Sequence, residues 1–196
     1  MTSGPRRRLA VLAALLALGL GAAAAHAAAP TPFTRLMGLL AARRHGEVTF
    51  LARTYAAGLT RPLESSGVLR YRAPDHLEQH TLKPVPSTLI VDGERLTVRR
   101  GGQAHRLDLR DHPDIAVYVD AMRDTLAGRG ARLQHLFAVR FSGTLAHWRL
   151  TLTPLRSGAH VRQIRLAGDA ADIRSIEILA PNGARTVMRI GPPPAP

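Results

Sequence analysis

The sequence of 196 residues holds 27 Lys and Arg against 14 Asp and Glu, a formal net charge of +13, and no cysteine. The missing thiol excludes disulfides, thiolate metal sites, cysteine nucleophiles and the acylated N-terminal cysteine of a lipoprotein. Lys83 is the one lysine, and the arginines are scattered with no RNP-type aromatic motif or helix-turn-helix pattern, so nucleic acid is not expected as a partner.

In chain order, Arg6-Arg7-Arg8, the apolar run from Leu9 to Leu20 and Ala25-His26-Ala27 have the order of a secretory signal peptide. Residues 1–27 are therefore expected to be removed on export to the periplasm. An uncleaved anchor is the alternative, since the apolar stretch runs on to Ala29. Cleavage leaves 196 − 27 = 169 residues, a length suited to one domain with a real core. The exported part stays basic, and an anionic membrane surface is a fitting partner for it.

Phe33, Leu36, Met37 and Leu40 recur at helical spacing, which predicts an amphipathic helix over about 32–44. From Glu47 the period becomes two, with Val48, Phe50 and Ala52 on one face. A second strand puts Leu63, Ser65, Gly67, Leu69 and Tyr71 on one face. Pro74, Pro84 and Pro86 punctuate the next strand near its ends. In "TLIVDGERLTV", residues 88–98, an Asp-Gly pair between alternating apolar residues predicts a hairpin with Leu89, Val91, Leu96 and Val98 on a common face. A strand at 105–109 follows.

The pattern breaks at "DHPDIAVYVDAMRDTLAG", where Ile115, Tyr118, Val119, Met122 and Leu126 share a helical face. Asp111 or Asp114 is expected to cap this helix, Pro113 to sit in its first turn and Gly128 to stop it. A short helical piece is expected near 133–136. Strands then resume at 148–154, 161–166, 173–179 and 186–190, the last two joined by "PNG", and "GPPPAP" (191–196) reads as a disordered Pro-rich tail. Short hairpin-like connections without βαβ spacing predict an α+β domain: an antiparallel curved sheet with helices over one side.

No catalytic constellation emerges. His112-Pro113-Asp114 is the J-domain tripeptide, but a strand precedes it. His76, Glu78 and His80 share a strand face without further ligands. Ser65, Ser66 and Ser142 lie in no nucleophile elbow. No enzymatic activity, cofactor or metal is expected, and the chemistry points to binding. The alternation leaves two readings of the apolar face open, a filled core or the lining of a cavity.

The stretch "SSGVLRYRAPDHLEQHTLKPVPSTLIVDGERLTV" resembles the N-terminal half of the LolA family, periplasmic carriers of lipoproteins to the outer membrane. Gly67, Leu69, Pro74, Asp92, Gly93 and Leu96 match its pattern in order and spacing. "HWRLTLTP" (147–154) and "VRQIRLAGDAADIRSIEILAPNGARTVMRI" (161–190) resemble its closing strands. The resemblance implies an unclosed antiparallel β-barrel, a strongly curved sheet of about ten strands covered by helices acting as a lid, over residues 28–190. It implies a carrier that binds acyl chains of lipoproteins or other lipid-like cargo in a hydrophobic cavity. Its partners would be an inner-membrane release complex and an outer-membrane acceptor, and a monomer is expected.

On this reading the lipid-binding lining comprises Phe50, Leu69, Tyr71, Leu89, Val91, Leu96, Val98, Trp148, Leu150 and Leu152. The lid contributes Leu36, Leu40, Ile115, Val119 and Met122. The sequence departs from the family where an arginine that latches the lid is replaced by Ala73, and where Gln79 and Thr97 stand for aromatics. A lid held mainly by apolar contacts is therefore expected. The rival reading is a periplasmic β-rich structural or protein-interaction module with a solid core and no lipid cargo.

Overall fold

The computed structural model describes residues 29–156 and 160–192. The expected signal peptide (1–27) and residues 193–196 of the expected tail lie outside the described residues. Among the described residues no helix is long and apolar enough to cross a membrane.

The first helix, α1 (Pro32–Ala42), starts where Thr31 accepts the Thr34 amide at 3.2 Å on its side-chain oxygen, with Pro32 in the first turn. Six strands follow: β1 (His45–Tyr55), β2 (Leu63–Arg72), β3 (His76–Lys83), β4 (Ser87–Asp92), β5 (Arg95–Arg100) and β6 (Gln103–Asp108). Two helices, α2 (Pro113–Leu126) and α3 (Gly130–Leu136), interrupt them. The chain closes with β7 (Phe137–Gly143), β8 (Trp148–Pro154), β9 (Gln163–Asp169), β10 (Asp172–Leu179) and β11 (Arg185–Ile190).

The hairpin at Asp92-Gly93 is present. Asp92 pairs with Arg95, Leu89 with Val98 and Val91 with Leu96, so the four apolar residues share a face, and Gly93 takes the positive φ of 56° that the turn needs. Helix α2 begins at Pro113 as expected, but its cap differs. His112 occupies the N-cap position with no side-chain bond, and Asp114 pairs with His160 at 3.0 Å. Gly128, at φ 66°, ends the helix; a Cβ there would lie 2.6 Å from the Ala41 Cβ, so the glycine also lets the turn press onto α1.

The sheet has eleven strands, one more than the sequence suggests. The additional strand is β7. Phe137, Val139 and Phe141 do alternate, but no glycine or proline separates them from α3, and the chain passes into extended backbone at Phe137 (φ −134°, ψ 145°). A helix-to-strand change without a breaker leaves no local mark.

All neighbours are antiparallel, in the order β6-β5-β4-β3-β2-β1-β11-β10-β9-β8-β7. The two halves join through β1 and β11, from Phe50 opposite Ile190 to Tyr55 opposite Arg185. Strands β6 and β7 stand at the two edges and do not pair with each other, so the barrel is unclosed. The helices cover its concave face. One packed cluster joins α1 and α3 to β7–β9 through Leu36, Leu133, Phe137, Leu150, Leu152, Ile164 and Leu166. A second joins the β4–β5 hairpin to the start of α2 through Val91, Leu96, Leu109 and Val119.

Candidate functional site

Beside the larger cluster the apolar interior is incomplete. A cavity of about 530 Å³ opens at the end of the barrel where β1 begins and β2 and β11 end. Its strand wall is Val48 of β1, Leu69 and Tyr71 of β2, Ile173 and Ile176 of β10, and Ile190 of β11. Leu40 of α1 and Met122 and Leu126 of α2 close it on the helix side. Gly46 stands opposite Tyr71 in the β1–β2 register, and a Cβ placed on it would meet nothing within 4 Å. The cavity exists partly because that strand position carries no side chain.

The rim is charged. Arg43 reaches across it to Asp172 at 2.7 Å, Arg174 pairs with Asp172 at 3.2 Å, and Arg70 pairs with Glu47 at 2.9 Å. Arg174 also meets Asp169 at 3.2 Å and Arg70 meets Glu78 at 3.8 Å, so every arginine of the rim is ion-paired and the mouth is ringed by salt bridges, with His45 beside them. Gly191 and Pro192, the first residues of the Pro-rich tail, complete the wall. They are fixed to β1 by the Gly191 amide donating to the Thr49 carbonyl at 2.9 Å and the Thr49 amide donating to the Pro192 carbonyl at 3.0 Å.

The residues singled out from the sequence divide among three places. Leu69, Tyr71, Leu40 and Met122 line the cavity, Leu40 and Met122 also belonging to the larger cluster and Leu69 packing against it. Phe50, Trp148, Leu150, Leu152 and Leu36 are packed into the larger cluster. Val91, Leu96 and Val119 form the second cluster, with Leu89, Val98 and Ile115 packed against it. All share the concave side. Val48, Ile173, Ile176, Ile190 and Leu126 line the cavity without having been assigned to the lining or the lid. Their alternation is visible in the sequence, but their convergence depends on the pairing of β11 with β1.

The helices are held over the sheet by apolar side chains such as Leu36, Leu40, Val119 and Met122, and Arg123 adds a polar tether that was not expected. This α2 residue is buried, and its guanidinium donates to the Gly93 carbonyl at 2.9 Å and to Asp120 at 2.6 Å. It also donates to Glu94 at 3.3 Å, so the helix is tied to the β4–β5 turn by charge-assisted bonds. Beside it Asp124 is fully buried, 2.9 Å from Arg132 and 3.3 Å from Arg129. Burial raises the Asp124 carboxyl above its ordinary pKa, and the two arginines work against that rise. Arg72, next to Ala73, is exposed and makes no side-chain tether among the described residues.

On the convex side, Glu78 accepts from both neighbouring imidazoles, His76 at 2.7 Å and His80 at 2.6 Å. These bonds bring its pKa from 4.5 down to about 2. A depressed folded-state pKa stabilises the fold above the unfolded value and is lost as pH falls towards the folded one. Glu78→Gln is therefore expected to lower the urea midpoint at pH 6, with the gap to the parent narrowing as pH drops from 4.5 towards about 2. A gap that stays constant over that window would show that the carboxylate bonds contribute nothing to stability.

Residues 20–189 match the protein family described as outer membrane lipoprotein carrier protein LolA-like. No curated protein sequence matches the chain. Among solved structures, a LolA superfamily protein of Nitrosomonas europaea is similar at 11% identity, covering 85% of this chain and 96% of that one, with a TM-score of 0.43. A putative outer membrane lipoprotein-sorting protein domain of Vibrio parahaemolyticus is similar at 8% identity, over 80% and 89% of the two chains, with a TM-score of 0.42. The lipoprotein LppX of Mycobacterium tuberculosis is similar at 12% identity, over 82% and 97%, with a TM-score of 0.39. These three are likenesses of fold, and the assignment rests on the sequence match, which runs through every strand and all three helices. The chain belongs to the LolA-like family of outer membrane lipoprotein carrier proteins.

Proposed function

We propose that this protein is a periplasmic carrier that takes an acyl chain into the cavity between β1, β2, β10, β11 and the helices, and moves lipoproteins or another lipid-like cargo towards the outer membrane. The observation that carries this reading is the apolar cavity of about 530 Å³ behind a mouth ringed by ion pairs. A volume of that size falls within the range of small-molecule sites. At ~30 Å³ for a group the size of water it gives room for one acyl chain. Each methylene withdrawn from water contributes about 0.8 kcal/mol, so roughly ten of them supply on the order of 8 kcal/mol gross. No bond in the cargo is made or broken, and no cofactor takes part. The exchange partners on this reading are an inner-membrane release complex and an outer-membrane acceptor, with the protein acting as a monomer.

Gly46→Phe tests the reading, because the new ring has open space to enter and fills the cavity. Displacement of a fluorescent fatty acid should weaken at least about tenfold, with circular dichroism and the urea midpoint preserved. Unchanged affinity would place the cargo elsewhere. Failure of the parent protein to bind any acyl probe or lipoprotein, in solution or by native mass spectrometry, would leave the solid-core module as the function.

A further inference from the structure

The end of the barrel opposite the cavity mouth has its own chemistry. Three loops lie side by side there, joining β1 to β2 (56–62), β3 to β4 (84–86) and β5 to β6 (101–102). None contains an acidic residue. Arg61, Lys83, Arg99 and Arg100 stand in or beside them, all exposed and none in an ion pair among the described residues. Glu64, at the start of β2, is tied to Arg53 at 2.8 Å. At the other end of the same strands, Asp75, Asp92, Glu94, Asp108 and Asp111 lie in or beside the turns. Arg72, Arg95 and Arg110 accompany those acids, so charge is mixed at that end, whereas the loops at the first end hold no acid at all.

The cationic end also presents apolar side chains to water. Leu59 is 42% exposed, Leu63 61%, Leu82 59% and Val85 46%. Leu59 and Val85 sit on neighbouring loops and Leu63 and Leu82 at the strand ends beside them, and the β1–β2 tip projects past β3: Leu63 still pairs with Thr54, whereas β2 and β3 meet first at Ser66 and Lys83. Four cations without acids beside four protruding apolar residues fit a surface that is anionic outside and apolar beneath. A free polyanion or an acidic protein patch would satisfy the arginines but offers no apolar layer for the leucines.

We propose that this loop end docks onto the anionic surface of a lipid bilayer, with Leu59, Leu63, Leu82 and Val85 entering the headgroup boundary and Arg61, Lys83, Arg99 and Arg100 meeting the phosphates. Docking in this pose turns the cavity mouth away from the bilayer, where a partner in the aqueous compartment reaches it. The docking is independent of cargo, so it stands or falls separately from the carrier reading.

The test is sedimentation of the whole protein with vesicles of phosphatidylcholine alone or mixed with phosphatidylglycerol. Binding should require phosphatidylglycerol and fall as salt is raised. Arg61→Ser with Arg100→Ser should weaken it about fivefold for each charge removed, and Leu63→Ser with Leu82→Ser about tenfold or more. Arg35→Ser with Arg149→Ser removes the same charge from exposed positions elsewhere and should change binding less than twofold. No binding to the mixed vesicles, equal loss in the control pair, or parental binding by both loop-end variants would each overturn the proposal.

Discussion

Arg123→Ala should lower the stability of the protein by about 3 kcal/mol and speed the entry of a hydrophobic dye. The side chain is 4% exposed, and three acceptors converge on it: the Gly93 carbonyl, Asp120 and Glu94. Removing the guanidinium leaves a carbonyl and a carboxylate poorly solvated, which costs more than the bonds themselves contribute. Asp120 is 18% exposed and Glu94 49%, so water recovers part of the loss, and the lower end of the range for a broken buried pair applies. A fall in Tm of roughly 6–12 °C corresponds to that change in a chain of this size. Dye entry is the functional readout, since Arg123 is what ties α2 to the β4–β5 turn. A cargo with several acyl chains exceeds the cavity and needs α2 to move, so the same variant should take such cargo faster. Unchanged Tm and unchanged entry together would show that the tether does not hold the lid.

Leu150→Ala should cost about 3–4 kcal/mol and leave the affinity for a single-chain probe nearly unchanged. Leu150 is fully buried, between Phe141 and Leu166 in the strand register and inside the larger packed cluster. Truncation there opens a void that its neighbours cannot collapse to fill. Ile190→Ala is the contrasting variant. Ile190 is only partly buried and already borders the cavity, so the change enlarges an existing space, should cost about 1–2 kcal/mol and should alter probe affinity. Urea denaturation and probe titration on both variants separate the two halves of the barrel. If Leu150→Ala shifted affinity as much as Ile190→Ala does, the binding space would extend under β8.

The strand alternation, the Gly93 turn, the Pro113 start and the Gly128 stop of α2 were legible because each depends on residues within a few positions of one another. The alternation of Leu89 and Val91 with Ile90, or the positive φ at Gly93, is decided by local sterics. β7 escaped because its onset at Phe137 carries no breaker. The burial of Arg123 and Asp124 escaped for a different reason: both read locally as the polar side of an amphipathic helix.

What the sequence determined by itself is thus the order of elements, the exposed or inward sense of each strand residue and, through its family pattern, the unclosed barrel. What the tertiary structure alone decided is where the interior is full and where it is empty. Leu150 and Ile190 obey the same alternation, yet one is enclosed by facing side chains and the other borders a gap opposite Gly46. The gap depends on β1 meeting β11, a contact that brings Thr49 and Pro192 together from 143 residues apart. The burial of Arg123 likewise depends on a carbonyl 30 residues away. Periodicity reports which way a side chain points, whereas filling and pairing depend on the volume and polarity of groups that only the folded chain brings opposite it.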